Sequence, residues 1–205
     1  MKTKLFLLFI ITSQAFYAQS GTEVLKKVQT KFNSIQSFSA NFTLIFYEAD
    51  GKGGSKTSGK FFYKRKNKFV VEQKNLLITS NGETIWNYDK SRKRVVISYF
   101  TDDPTSFSIE RYVFDYPSQC RIRLSVPEST SSEKVLVLIP KDEQIDFQET
   151  KLWINTDNLI SKMEVIDLMG TKFSFSFSDI LENADINESR FTYHPPKGIQ
   201  IIDLR

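Results

Sequence analysis

Beyond residue 40 several runs of this chain carry apolar residues at every second position, and that period restricts the fold more than any other feature. Phe42, Leu44 and Phe46 alternate with Asn41, Thr43 and Ile45. Phe173, Phe175 and Phe177 alternate with Ser174, Ser176 and Ser178. Successive side chains of a strand point to opposite faces, so each run sets its phenylalanines on one side of a sheet. Phe61, Tyr63 and Arg65 form another run, followed by Phe69 and Val71, then Thr84, Trp86 and Tyr88. Later strands centre on 135–139, 151–154, 160–166 and 172–177. Turn signals divide them at short intervals. Asp50-Gly51, with Gly53 and Gly54, marks a loop, and Asn81-Gly82 is a dipeptide favoured in tight hairpins because both residues tolerate positive φ. No segment reads as a βαβ unit, a linker or a repeat. The expectation is a mainly β (α+β) chain built from many short antiparallel strands.

Two stretches break the period. Val24, Leu25, Val28, Phe32 and Ile35 recur at helical spacing between lysines and glutamine, which predicts an amphipathic helix over 22–36 capped by Ser20 or Thr22. Asp103-Pro104 looks like a cap followed by proline at the first helical position, with Phe107, Ile109, Arg111 and Tyr112 in a short helix behind it. Two helices can cover part of an aromatic sheet face. If that sheet curves, the space beneath them becomes an apolar cavity. On composition alone an ordinary packed core explains the 18 phenylalanines better.

The N-terminus carries a different signal. Lys2 and Lys4 precede the apolar run Leu5 to Ile11, and polar Thr12, Ser13 and Gln14 follow. This is a signal-peptide layout, and the run is far shorter than the ~20 residues a membrane helix needs. Ser13-x-Ala15 fits the small-x-small cleavage rule. Cleavage after Ala18 leaves Gln19 first but puts bulky Phe16 at the −3 position. The expected division is a signal peptide at 1–18 and one domain at 19–205. No cysteine follows the apolar run, so lipidation there is not expected. Removing Lys2 and Lys4 lowers the formal charge from +4 to +2, too little to point to a nucleic-acid partner. Cys120 is the one cysteine, so no internal disulfide can form and the fold stands on burial.

Catalytic constellations are missing: there is no glycine-rich phosphate loop, no G-x-S-x-G and no C-x-x-C. The one histidine, His194, sits in a His-Pro-Pro-x-Gly turn and reads as structural. Asp142, Glu143 and Asp146 lack the spacing and the glycine of a calcium loop and read as a solvated loop. Cys120 reads as a small buried hydrophobe. The basic stretches Lys64-Arg65-Lys66-Asn67-Lys68 and Arg92-Lys93-Arg94 fall at hairpins, where charge also protects sheet edges. No enzyme, metal or cofactor is expected.

Three segments in order carry a resemblance. Gly59-Lys-Phe-Phe-Tyr-Lys-Arg65-Lys-Asn-Lys-Phe69, then Leu77-Ile-Thr-Ser-Asn-Gly82-Glu-Thr-Ile-Trp86-Asn-Tyr88, then Phe191-Thr-Tyr-His-Pro195-Pro196-Lys-Gly198-Ile resemble the periplasmic outer-membrane lipoprotein carrier family (LolA). One departure is Lys66, where the family often has proline after the strand-end arginine. The resemblance implies an unclosed antiparallel β-barrel of about eleven strands with a helical lid over an apolar cavity. It implies a periplasmic, monomeric carrier without enzymatic activity or cofactor. Such a carrier accepts acylated lipoproteins from an inner-membrane ABC complex and delivers them to an outer-membrane receptor or the outer membrane itself. By motif position, Arg65 is implied to contact the lid and Phe69 to line the cavity. Strand parity adds Phe61 and Tyr63 to that lining, with Val71, Phe42, Leu44, Trp86 and Tyr88 beside them. A carrier or receptor for another lipid or glycolipid, and a lipid-sensing regulatory domain on the same fold, stand as alternatives.

Export is tested by the intact mass of the protein recovered from an exporting cell. The expected mature chain begins before residue 20 and lacks Lys2 and Lys4; retention of Met1, or a lipid on Cys120, refutes the leader.

Overall fold

The computed structural model describes residues 20–48, 54–101, 108–142 and 145–205. The leader, Asp50-Gly51, Gly53, Asp103-Pro104, Phe107 and Glu143 therefore lie outside the described residues.

Helix α1 runs Gly21–Ser34. Ser20 starts it: its hydroxyl accepts from the Glu23 N–H, and the Glu23 carboxylate accepts from the Ser20 N–H. This reciprocal pair satisfies two of the donors that the first turn leaves free. Val24, Leu25, Val28 and Phe32 are buried along one face. The helix ends earlier than its apolar spacing predicts because Ile35 is already extended, leading the chain into β1 at Ser37.

Twelve strands follow among the described residues. They are β1 Ser37–Tyr47, β2 Gly54–Lys64, β3 Lys68–Gln73, β4 Leu76–Asn81, β5 Thr84–Asp89, β6 Arg94–Tyr99, β7 Cys120–Leu124, β8 Glu133–Pro140, β9 Phe147–Asn155, β10 Ile160–Asp167, β11 Lys172–Glu182 and β12 Gln200–Asp203. Between β6 and β7 lie a π-helical turn, Arg111–Asp115, and the short helix α2, Tyr116–Gln119. Ile109, Arg111 and Tyr112 are thus in helical backbone, as expected of the segment after Asp103-Pro104.

All strands join one sheet in the order β12-β6-β5-β4-β3-β2-β1-β11-β10-β9-β8-β7. The sheet is unclosed, with β12 and β7 at its two edges. Every neighbouring pair is antiparallel except β12 with β6. That parallel edge strand makes the count twelve rather than about eleven. Tight turns set the register. Lys66 and Asn67 both take positive φ between β2 and β3, and Gly82 (φ +95°) does so between β4 and β5. A Cβ on Gly82 would also fall 2.4 Å from the Lys66 carbonyl oxygen, so glycine is required there twice over.

Register sorts the side chains onto two faces. On the inner face, under α1, Tyr63 pairs with Phe69 and Phe61 with Val71. Phe38 pairs with Tyr63, and Phe42 and Leu44 pair with Phe177 and Phe175. The outer face holds Val70, Trp86, Val95 and Ile97. Trp86 and Tyr88 belong to it, which corrects their expected place beside Phe61. Ser80 pairs with Ile85 and Phe69 with Ser80, so Ile85 takes the inner position and Trp86 the outer. The parity of Trp86 and Tyr88 is the more apolar one, with only Ile85 on the other, so alternation favours the wrong face and register decides.

The C-terminal residues cover the outer face. Tyr193 stacks on Tyr88 with ring centroids 5.2 Å apart, and Phe191 is buried with Val70 and Ile186. Arg190 lies 3.7 Å over the Phe62 ring and pairs with Glu72 at 3.0 Å. Glu188 bridges Lys64 (2.6 Å) and Lys68 (2.8 Å), which assigns two charges of the first basic stretch to this clamp. The two lysines hold the Glu188 carboxyl down to about 2. The folded state thus binds that proton more weakly than the unfolded chain. The clamp's contribution is present above pH 4.5 and fades as pH falls toward 2. Cys120 is buried in the inner core, and burial pushes its thiol up.

Phe191→Ala removes a ring that is 1 % exposed. The expected loss is about 3–5 kcal/mol in urea unfolding; a loss below about 1 kcal/mol would mean that the C-terminal segment does not brace the sheet.

Candidate functional site

The inner face is an aromatic floor. Phe61 lies at its centre, with ring centroids 5.6 Å from Phe38, 6.4 Å from Phe69 and 5.8 Å from Phe177. Phe38 and Tyr63 approach to 4.9 Å, and Phe69 meets Phe100 at 6.3 Å. Of the residues singled out from sequence, Phe42, Leu44, Phe61, Tyr63, Phe69 and Val71 share this face and one cluster. Phe38, Phe100 and Phe177 belong there too and were not among the expected lining residues. Phe38 has the parity of Phe42 four residues on, and Phe177 ends the Phe-Ser alternation, so both carried a readable signal. Phe100 follows β6 in a turn and carried none. In this structure the rings fill the space under the helices by packing on one another, Phe61 and Phe69 being only 3 % and 2 % exposed.

Two covers lie over the floor. The first is α1, which sets Val28 and Phe32 against it, with Phe32 edge-on to Phe38 at 6.4 Å. The second is the helical segment before β7. Its Val113 is fully buried, and Tyr112 and Tyr116 lie 6.0 and 5.2 Å from Phe147. Gln29 of α1 donates through Nε2 to the Val113 carbonyl at 2.9 Å, so the covers are tied to each other.

Both covers are pinned to the β2–β3 hairpin. Arg65 Nη2 donates to the Asn33 carbonyl at 2.6 Å, in the last turn of α1. The final carbonyls of a helix lack intrahelical partners and carry its negative end, so a guanidinium satisfies them twice. The Arg65 N–H also reaches the Gln36 carbonyl at 3.1 Å. The other pin is Glu110. Its carboxylate accepts from the Tyr63 hydroxyl and, at 3.3 Å, from the Asn67 N–H. Ser108 donates to the Asn67 side chain at 2.6 Å, and Ser80 to the Asn67 carbonyl at 3.0 Å. Burial and the nearby Glu110 push the Tyr63 phenol far above the usual tyrosine range, so it stays neutral and remains a donor. Tyr63 lies at the end of β2 and Arg65 in the turn that follows it, so one end of the hairpin holds both covers.

A cleft of about 600 Å³ opens at this junction, bounded by Phe32, Tyr63, Arg65, Lys66, Glu110 and Phe114 among others. Among the described residues no three His, Cys, Asp or Glu side chains gather as a metal site, and no helix is long and apolar enough to cross a membrane. His194 is exposed in its turn, far in character from a general base with a nucleophile beside it. What this arrangement can do is store apolar surface: a floor of rings beneath two covers held by a few hydrogen bonds.

Comparison with known proteins gives this arrangement a family. The family described as outer membrane lipoprotein carrier protein LolA matches residues 33–194. An outer-membrane lipoprotein carrier protein of Legionella pneumophila (strain Corby) is 28% identical over 204 residues, covering 97% of this chain and 98% of its own length. A protein of the same name from Glaesserella parasuis serovar 5 is 25% identical, covering 92% and 90%. Among solved structures, an uncharacterized conserved protein from Thermus thermophilus superposes with a TM-score of 0.57 at 15% identity, covering 89% of this chain and 98% of that one. It shares the fold.

Tyr63→Phe keeps the ring and deletes one pin. A hydrogen bond to a charged group is worth about 1.5–3 kcal/mol, so amide exchange in Arg111–Asp115 is expected to quicken by at least about tenfold while strands β8–β10 stay protected. Unchanged exchange would show that Tyr63 does not hold the segment.

Proposed function

This chain belongs to the LolA family of outer membrane lipoprotein carrier proteins, and from that premise we propose that it binds lipoprotein acyl chains in the periplasm and carries them from the inner to the outer membrane. The observation that supports this reading is the aromatic inner face closed by two hydrogen-bonded covers. Each acyl methylene is worth about 0.8 kcal/mol on leaving water, so acyl chains do not cross an aqueous space uncovered. The floor around Phe42, Leu44, Phe61, Tyr63, Phe69 and Val71 supplies the surface that replaces water. The covers lift, the rings part, and chains take the place the rings held against each other. No bond is made or broken, so this is a carrier rather than an enzyme. The donor is an inner-membrane ABC lipoprotein-releasing complex, and the acceptor is an outer-membrane receptor or the outer membrane itself.

Release is what a carrier without its own energy source has to solve. Arg65 bears on it. Its bond to the Asn33 carbonyl exists with α1 seated, so the closed, empty state competes with cargo. Arg65→Leu removes that competitor and adds apolar surface. The expected variant loads as wild type and hands over poorly, with apparent cargo affinity raised about tenfold for each 1.4 kcal/mol lost from the closed state. A two-step transfer assay, measuring loading and release separately, checks this. Release at the wild-type rate, or failure to load, would return Arg65 to the role of a helix cap.

A further inference from the structure

The inner face contains one polar side chain that the packing does not explain. Thr150, on β9, is fully buried, and its Oγ1 has no hydrogen-bond partner among the described residues. Register fixes its direction: it pairs with Leu138 on β8 and Val165 on β10. Both neighbours belong to the inner core, so the hydroxyl points to that face, into apolar surroundings. A buried hydroxyl without a partner is destabilising, and valine has nearly the same shape without that penalty. Three residues earlier on the same strand, Phe147 meets Tyr112 and Tyr116 of the second cover. Lifting that cover is the motion that would bring a ligand to Thr150.

We infer that Thr150 is a specificity residue: its hydroxyl donates to an ester carbonyl of the acyl-glyceryl group of bound cargo. The inference rests on the carrier reading and deepens it. Hydrocarbon alone gives the hydroxyl nothing to bond, and its described neighbours on the sheet, Leu138, Leu152 and Val165, offer a charged headgroup no counter-ion. A neutral carbonyl at the junction between glycerol and chain fits both the polarity of the hydroxyl and the apolar sheet residues around it. Thr150 thus separates ester-linked acyl chains from equally apolar chains without the carbonyl, a distinction that the phenylalanine floor cannot make.

The test uses two fluorescent peptides with an N-terminal S-glyceryl cysteine. One carries two palmitoyl esters, the other two hexadecyl ethers of matched length, and binding is read by anisotropy with the full mature chain. Wild-type protein is expected to prefer the ester probe. Thr150→Val should lose about five- to tenfold on the ester probe, the worth of one neutral hydrogen bond, and stay within twofold on the ether probe. Thr150→Ser, which keeps the hydroxyl, should keep the preference. The empty Thr150→Val protein should also melt about 2 °C higher, because it buries a methyl where wild type buries an orphan hydroxyl. Equal affinity of Thr150→Val and wild type for the ester probe overturns the inference, as does an equal loss on both probes or a lower melting temperature. These outcomes leave the carrier reading in place. Wild-type protein that binds neither probe overturns both.

Discussion

An open sheet with an aromatic inner face has to be covered, and the rest of this structure follows from how the cover is fastened. The outer face is sealed by the chain's own C-terminal segment, through ring stacking of Tyr193 on Tyr88 and the Glu188 bridge to Lys64 and Lys68. The inner face is covered by helical segments pinned at a few points. The difference is one of energetics. Phe191 and Val70 are buried in a satisfied core, whereas the α1 contact to the hairpin runs through Arg65 and the helix-end carbonyl of Asn33. The edges are managed as well. β12 has four residues and β7 five, with Arg121 and Arg123 exposed on β7, so neither offers a long flat template for another chain.

Magnitudes decide what the pins can do. A sixteen-carbon acyl chain contributes about 12 kcal/mol on leaving water, whereas each charged hydrogen bond contributes about 1.5–3 kcal/mol. On the proposed reading the pins therefore cannot exclude cargo of several chains; their part is to set how far the closed state competes with it. The rings have a similar part. Phe38, Phe61 and Phe69 satisfy each other when nothing else is bound, so the empty protein does not expose its floor to water.

Structure was legible along the chain wherever neighbours in sequence settle the matter. Ser20 and Glu23 are three residues apart, the spacing of a capping box, and α1 begins there. Phe61, Tyr63, Phe69 and Val71 share a face because the turn at Lys66-Asn67 pairs 63 with 69. Trp86 and Tyr88 were misplaced, for they occupy the outer face. β5 carries apolar residues of both parities, and only its pairing through Ser80 and Ile85 back to Phe69 chooses between them. The parallel pairing of β12 with β6 was equally hidden, since it depends on a segment crossing the outer face over more than a hundred residues of separation.

The sequence by itself therefore determined the element types and the shared face of Phe61, Tyr63, Phe69 and Val71. These rest on periods of two and 3.6 and on local turn chemistry, all of which act over a few residues. Only the tertiary structure decided which face is inward, which strand closes each edge, and what Arg65 and Tyr63 hold. It alone shows Glu110 meeting Tyr63 across 47 positions and leaves the Thr150 hydroxyl without a partner among the described residues. Hydrogen-bond satisfaction of a buried group depends on what long-range register brings beside it, and no local pattern encodes that.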